Sequence, residues 1–220
     1  MFIRQSFVLA LALVSSFGAT AAPSADEIIH TVEKRYNEAR SLSVSFEEAY
    51  SVAGHPRPAE SGTLILRKPG KMRWEYTKPK GKLFISDGRS VFLYTSGDNR
   101  VEKIPLKSTE DMRAPFAFLL GHLDLRKDFR DFEVRDGNDG AWLDASAKSN
   151  HTPYEKVAML VSRNGEIRHM NVFGRDQSVI SYSFSDERLD PKAPSELFQF
   201  HIPPGAQVVN SAAAAGQETQ

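Results

Sequence analysis

The sequence predicts a mainly β protein with few helices, built as one large curved antiparallel sheet or an incomplete barrel. Three observations carry this reading. Apolar and polar side chains alternate with period two over many short runs. Gly-, Asn- and Asp-containing turns separate those runs at short intervals. Only two stretches show helix-like features, too few to match a long series of strands one for one.

Residues 1–21 open the chain with Met1, Arg4 and Gln5, then an unbroken apolar run from Phe7 to Val14, then Ala19-Thr20-Ala21. A basic start, a short apolar stretch and a small-x-small site make a secretory signal peptide, with cleavage expected after Ala21. Cleavage one residue later would set Pro23 beside the scissile bond, where its missing N–H and fixed φ are unfavourable. The apolar run falls well short of the about 20 residues that span a bilayer.

Ser24-Ala25-Asp26-Glu27 is a capping box, a serine N-cap followed three residues later by glutamate. Ile28, Ile29, Val32, Tyr36 and Ala39 then fall on one helical face, which predicts a helix over 25–40 with Glu33, Lys34 and Glu38 facing water. In Leu42-Ser43-Val44-Ser45-Phe46 the period drops to two. Gly62 to Arg67 is a strand ended by Pro69-Gly70. Lys71 to Thr77 puts Met72, Trp74 and Tyr76 on one face and Lys71, Arg73, Glu75 and Thr77 on the other. Lys82 to Ser86 and Ser90 to Thr95 flank the hairpin turn Asp87-Gly88, and Arg100 to Pro105 follows.

Pro115 to Gly121 then interrupts the strands with a short apolar helix, proline at its start and glycine at its end, and Asp124 to Phe129 adds a further helical turn. Strands resume at 132–135, 141–147, 157–162, 166–173 and 179–185, with Asn164-Gly165 a strong hairpin signal. A last strand is expected from Leu197 to Ile202, stopped by Pro203-Pro204, and residues 210–220 are expected to be a disordered tail. One domain, residues 22–209, accommodates all of this. Two helices lying across the concave face of such a sheet either fill it or leave a cavity, and the periodicity is the same in both cases.

The chain has no cysteine. An exported protein without disulfides relies on its core, and no N-terminal cysteine is present to carry a lipid, so a free, soluble protein is expected. Lys plus Arg and Asp plus Glu are 28 each, and removal of residues 1–21 subtracts only Arg4. That balance argues against a nucleic-acid partner. The six histidines have no metal-ligand spacing, and no H-E-x-x-H, G-x-S-x-G or P-loop is present. His30 and His169 read as surface or boundary residues. No metal, cofactor or catalytic residue is expected. What stands out is apolar payload: Phe46, Trp74, Tyr76, Phe84, Phe92 and Tyr94 among others, either ordinary core or the lining of an apolar ligand site.

Two segments carry a resemblance. Arg67-Lys68-Pro69-Gly70-Lys71-Met72-Arg73-Trp74-Glu75-Tyr76, together with Ile85 to Tyr94 around Ser86-Asp87-Gly88, resembles the periplasmic outer-membrane lipoprotein carrier family, LolA. Gly62, Pro115-Phe116 and the ending Phe198 to Gly205 agree with it. The resemblance implies an open, incomplete antiparallel β-barrel whose apolar concave face is lidded by helices. It implies a periplasmic monomer that accepts acylated lipoproteins from an inner-membrane, ATP-driven release transporter and hands them to an outer-membrane acceptor lipoprotein. On that reading Leu64, Leu66, Trp74, Phe92, Phe116 and Phe118 line the cavity. The family's lid-holding arginine corresponds to Lys68, with Arg67 the alternative. Adjacent strand residues point to opposite faces, so the two are not expected to share the task. Competing readings are a regulatory module that senses lipids or lipoproteins, a carrier of another lipid such as a glycolipid, and a lipid hydrolase. The hydrolase would need a Ser or Asp beside a His inside the cavity.

Overall fold

The computed structural model describes residues 23–106 and 122–210. The expected signal peptide, the apolar segment carrying Phe116 and Phe118, and the tail from 211 onward lie outside the described residues.

Helix α1 spans Ala25–Glu38, and its capping box forms as expected: Glu27 N–H donates to the Ser24 hydroxyl, and Ser24 N–H to the Glu27 carboxylate. Ile28, Ile29, Val32 and Tyr36 are buried. Glu33 departs from expectation, because its carboxylate accepts from Leu125 N–H at 2.8 Å instead of facing water.

Strands follow in the order β1 Ser41–Val52, β2 His55–Pro56, β3 Glu60–Arg67, β4 Lys71–Lys78, β5 Lys82–Asp87, β6 Ser90–Thr95 and β7 Arg100–Pro105. After the four-residue helix α2, Leu125–Asp128, come β8 Phe129–Gly137, β9 Gly140–Ala147, β10 Tyr154–Val161, β11 Ile167–Gly174, β12 Ser178–Leu189 and β13 Gln207–Asn210. Along the sheet they run β13-β7-β6-β5-β4-β3-β1-β12-β11-β10-β9-β8, with β2 paired to β1. Strand β1 therefore joins two antiparallel meanders, β3 to β7 and β8 to β12. The sheet stays open, with β13 and β8 at its two ends.

Register separates the two faces. The row Val44–Leu64–Trp74–Phe84 and the row Leu42–Leu66–Met72 are buried on the face that receives α1, the inner face. Met159, Met170 and Tyr182 continue it on the other meander. The Trp74 and Tyr182 rings meet at 5.9 Å although β3 and β1 lie between their strands. With strands about 4.8 Å apart, rings can meet across two intervening strands only over a concave surface. Gly62 keeps that surface close: a Cβ there would lie 2.1 Å from the Glu75 carbonyl oxygen.

The row Ile65–Arg73–Ile85–Phe92 faces the opposite, outer side. Here the segment expected as a strand over 197–202 is different: Ser195–Phe198 forms one 3₁₀ turn and the chain runs on without strand structure. Phe198 is buried against the outer face, and Arg73 Nη1 donates to Leu197 O at 3.2 Å. The chain then returns as β13, unforeseen and parallel to β7.

Candidate functional site

The last turn of α1 gathers the polar contacts that fasten it to the inner face. Tyr36 occupies the apolar stripe of the helix, so its ring is buried and its hydroxyl requires a partner. It donates to Glu187 Oε2 at 2.7 Å and accepts from Ile167 N–H at 3.0 Å. Arg35 donates Nε and Nη2 to Glu187 Oε1 at 2.9 and 2.6 Å. Glu187, on β12, is thereby almost fully enclosed. Burial, and then the Glu187 charge, hold the Tyr36 phenol well above its ordinary pKa, so it remains a hydrogen-bond donor at physiological pH.

From the other side Lys68 reaches the same residue. Its Nζ donates to Tyr36 O at 2.6 Å. That carbonyl belongs to the helix C-terminus, where backbone acceptors lack helical partners and positive charge is favoured. Burial lowers the Lys68 pKa, opposed by the nearby Asp190 carboxylate. Asn37 completes the turn by exchanging two hydrogen bonds with the Leu123 backbone, at 2.8 and 2.7 Å. Among the described residues, the first turn of α1 has one such contact, the exposed ion pair of Asp26 with Arg126.

Two narrow crevices flank Tyr36, each about 20 Å³. One is lined by Tyr36, Ala39, Leu42, Leu66 and Lys68. The other is lined by Tyr36, Leu42, Val44, Leu64, Met170 and Phe184, with Glu187 at its edge. About 10–15 Å³ of such space admits one water, so each crevice is of single-water size and neither holds an alkyl chain while α1 is seated. Beneath α1, Ile28, Ile29, Val32 and Tyr36 are buried in the same apolar cluster as Leu42, Val44, Leu64 and Leu66. A larger groove of about 410 Å³ beside α1 has a mixed lining, with Thr31, Lys34, Arg35, Glu38 and Asp190 alongside Ala39 and Leu189.

The structure brings Leu64, Leu66 and Trp74 together on the inner face. Phe92 is a correction: it lies on the outer face, stacked on Phe200 at 5.2 Å, because its row pairs with Ile85 and Arg73. Arg67 also faces outward, donating to Ala193 O at 2.6 Å and Ser195 Oγ at 2.7 Å with its guanidinium over the Phe198 ring. Lys68 and Arg67 thus fasten different covers. His169 sits 3.1 Å from Ser183 Oγ, but on the exposed outer face, away from the crevices. No group of three potential metal ligands occurs among the described residues, and none of their helices is long and apolar enough to cross a membrane. Glu187 was the residue that sequence reasoning missed. Its only signal was indirect: a tyrosine on an apolar helix stripe must find a polar partner somewhere.

An open, curved, largely antiparallel sheet with an amphipathic helix over its concave apolar face defines an incomplete β-barrel. The chain belongs to the outer membrane lipoprotein carrier protein LolA family, whose model matches residues 37–201. It is 30% identical over 173 residues to an outer-membrane lipoprotein carrier protein of Dechloromonas aromatica, covering 77% of this chain and 81% of that one. Its identity to the protein of the same name from Chromobacterium violaceum is 28% over 194 residues, or 86% and 91% of the two chains. Among solved structures, an uncharacterized conserved protein from Thermus thermophilus shares the fold with a TM-score of 0.53 at 14% identity, covering 86% of this chain and 99% of that one.

Proposed function

We propose that this protein is a periplasmic carrier that takes up the acyl chains of lipoproteins against its inner face and moves them from the inner to the outer membrane. The observation that carries the reading is α1: an amphipathic helix lying over the Leu64, Leu66 and Trp74 face and fastened chiefly through its last turn. Family membership and the names of the relatives point the same way.

The physical logic is an exchange of apolar contacts. Each methylene buried contributes about 0.8 kcal/mol, so the acyl chains of a lipoprotein do not cross an aqueous compartment unshielded. A cargo chain that displaces α1 takes over its apolar contacts with the sheet, and α1 reclaims them on release. Uptake and release are then close in free energy, which suits a carrier that must give up its cargo. No bond is made or broken in the protein.

In this reading Leu64, Leu66 and Trp74 contact the chains, together with Phe116 and Phe118, while Phe92 takes no part. Lys68 is the latch on α1. An ATP-driven inner-membrane transporter supplies the cargo and an outer-membrane lipoprotein accepts it. The protein works as a monomer after export and cleavage behind Ala21. Native purification from the periplasm, followed by mass spectrometry of whatever remains bound, tests this. Acylated lipoprotein is the expected companion. A protein that carries no lipid, and binds no dansylundecanoic acid, contradicts the proposal.

A further inference from the structure

Tyr36 lines both apolar crevices, as does Leu42, but Leu42 belongs to the sheet floor and Tyr36 to the helix above it. The crevice beside Leu66 and Lys68 and the crevice beside Leu64, Met170 and Phe184 thus share Tyr36 and Leu42 as lining residues. Of the buried residues within α1, Ile28, Ile29 and Val32 line neither crevice, and the C-cap residue Ala39 lines only the first. The ring's hydroxyl is held at its far end by the buried Glu187 carboxylate and by Ile167 N–H. Arg35, the preceding helix residue, neutralises that carboxylate.

We propose that Tyr36 is the gate of the alkyl-chain site and that Glu187 is the residue that holds the gate shut. Swinging the ring out joins the two crevices into a single apolar channel along β1 and β3, floored by Leu42, Val44, Leu64 and Leu66. The ligand it takes is a saturated alkyl chain, since its floor is aliphatic. Its two ends are marked by charge, Lys68 at one and Glu187 with Arg35 at the other. This rests on the carrier reading and locates the chain within that site. The polar contacts of Tyr36 favour the closed state, so they oppose loading and favour release. Apparent affinity for a chain equals the intrinsic affinity scaled by the fraction of protein that is open.

The test uses dansylundecanoic acid as the probe, on the full-length mature protein. Tyr36→Phe keeps the ring and deletes both hydrogen bonds of the hydroxyl, one of them to a charged partner. It is expected to bind the probe about tenfold more tightly and release it more slowly, while melting at lower temperature. Glu187→Gln is expected to shift binding in the same direction, and the two substitutions together to give less than the product of their separate effects, because they break one shared contact. A merely structural role predicts the lower melting temperature with unchanged or weaker binding, and that result overturns the gate. Should Tyr36→Phe fail to fold, Glu187→Gln alone decides by the same criterion. A wild-type protein that binds no probe removes the carrier reading itself. A wild type that binds, with both variants unchanged, removes only the gate.

Discussion

Arg67 and Lys68 are neighbours in sequence, and each donates to a backbone carbonyl of a different cover. Arg67 holds the outer cover with two hydrogen bonds, to Ala193 O and Ser195 Oγ, and lies across the Phe198 ring. Lys68 holds the inner cover with one, to Tyr36 O. A guanidinium is a planar fork that fixes direction, whereas an ammonium is a compact point charge on a flexible stem. The outer cover is accordingly wedged in place, with Phe198 fully enclosed and Phe200 stacked on Phe92. The inner cover is a helix flanked by two narrow crevices. On the proposed carrier reading, the outer face stays shut and the inner face opens.

The largest expected effect breaks the outer side. Phe198→Ala removes a fully buried ring and should cost about 3–5 kcal/mol in urea unfolding, while the remaining folded protein binds alkyl probe as before. A parallel loss of binding would mean that the two covers are coupled. Arg67→Ala should cost about 2 kcal/mol by the same measurement, since its hydrogen bonds are charge-assisted, and should leave cargo hand-over unchanged.

Asp144 supplies a contrast away from both covers. It lies on the outer face of β9, between Arg135 at 2.6 Å and Lys156 at 2.9 Å. Burial acts to raise its pKa, but hydrogen bonds from Arg135 and Lys156 and their charges outweigh it, so the carboxyl is held below its ordinary value. A carboxylate depressed in the folded state stabilises the protein above its unfolded pKa of about 3.9, and that contribution is lost as pH falls through the folded value. Wild type should therefore lose stability below about pH 3.9 more steeply than Asp144→Asn, read by thermal melts across an acid series. Equal slopes would show that the pair of cations does not act on this carboxylate. The smallest stability effect belongs to Lys68→Leu, expected within about 1 kcal/mol of wild type because the site is near the surface. Its effect falls instead on the rate of transfer to the outer-membrane acceptor. Unchanged transfer with reduced stability would make Lys68 an ordinary structural contact.

Much of this was legible in the residues, for a physical reason that also explains the failures. Alternation in Met72, Trp74 and Tyr76 against Lys71, Arg73 and Glu75 marks a strand with one apolar face, but which strand face lines a cavity is not legible from it. In Val91-Phe92-Leu93-Tyr94 both faces are apolar, so alternation leaves the face of Phe92 undetermined until register with Ile85 settles it. Phe198 and Phe200 imitate a strand by spacing alone; each fills its own place on the outer face, and the backbone between them needs no ladder. Strand β13 is held by a parallel pairing with β7 across about a hundred residues of chain, which no local pattern announces. The capping box of α1 is a local device and formed where expected. The partner of Tyr36 lies 151 residues away, so the need for one was readable and its identity was not.

The two faces can be told apart directly, without any substitution. A lipoprotein carrying a photoactivatable diazirine in its acyl chain, loaded onto the protein and irradiated, labels whichever residues the chain touches. Peptide mapping should place the label on Val44, Leu64 and Leu66 of the inner face, and leave Phe92, Phe198 and Phe200 unmarked. Label confined to the outer-face residues, or absent while cargo remains bound, would contradict an alkyl site beneath α1.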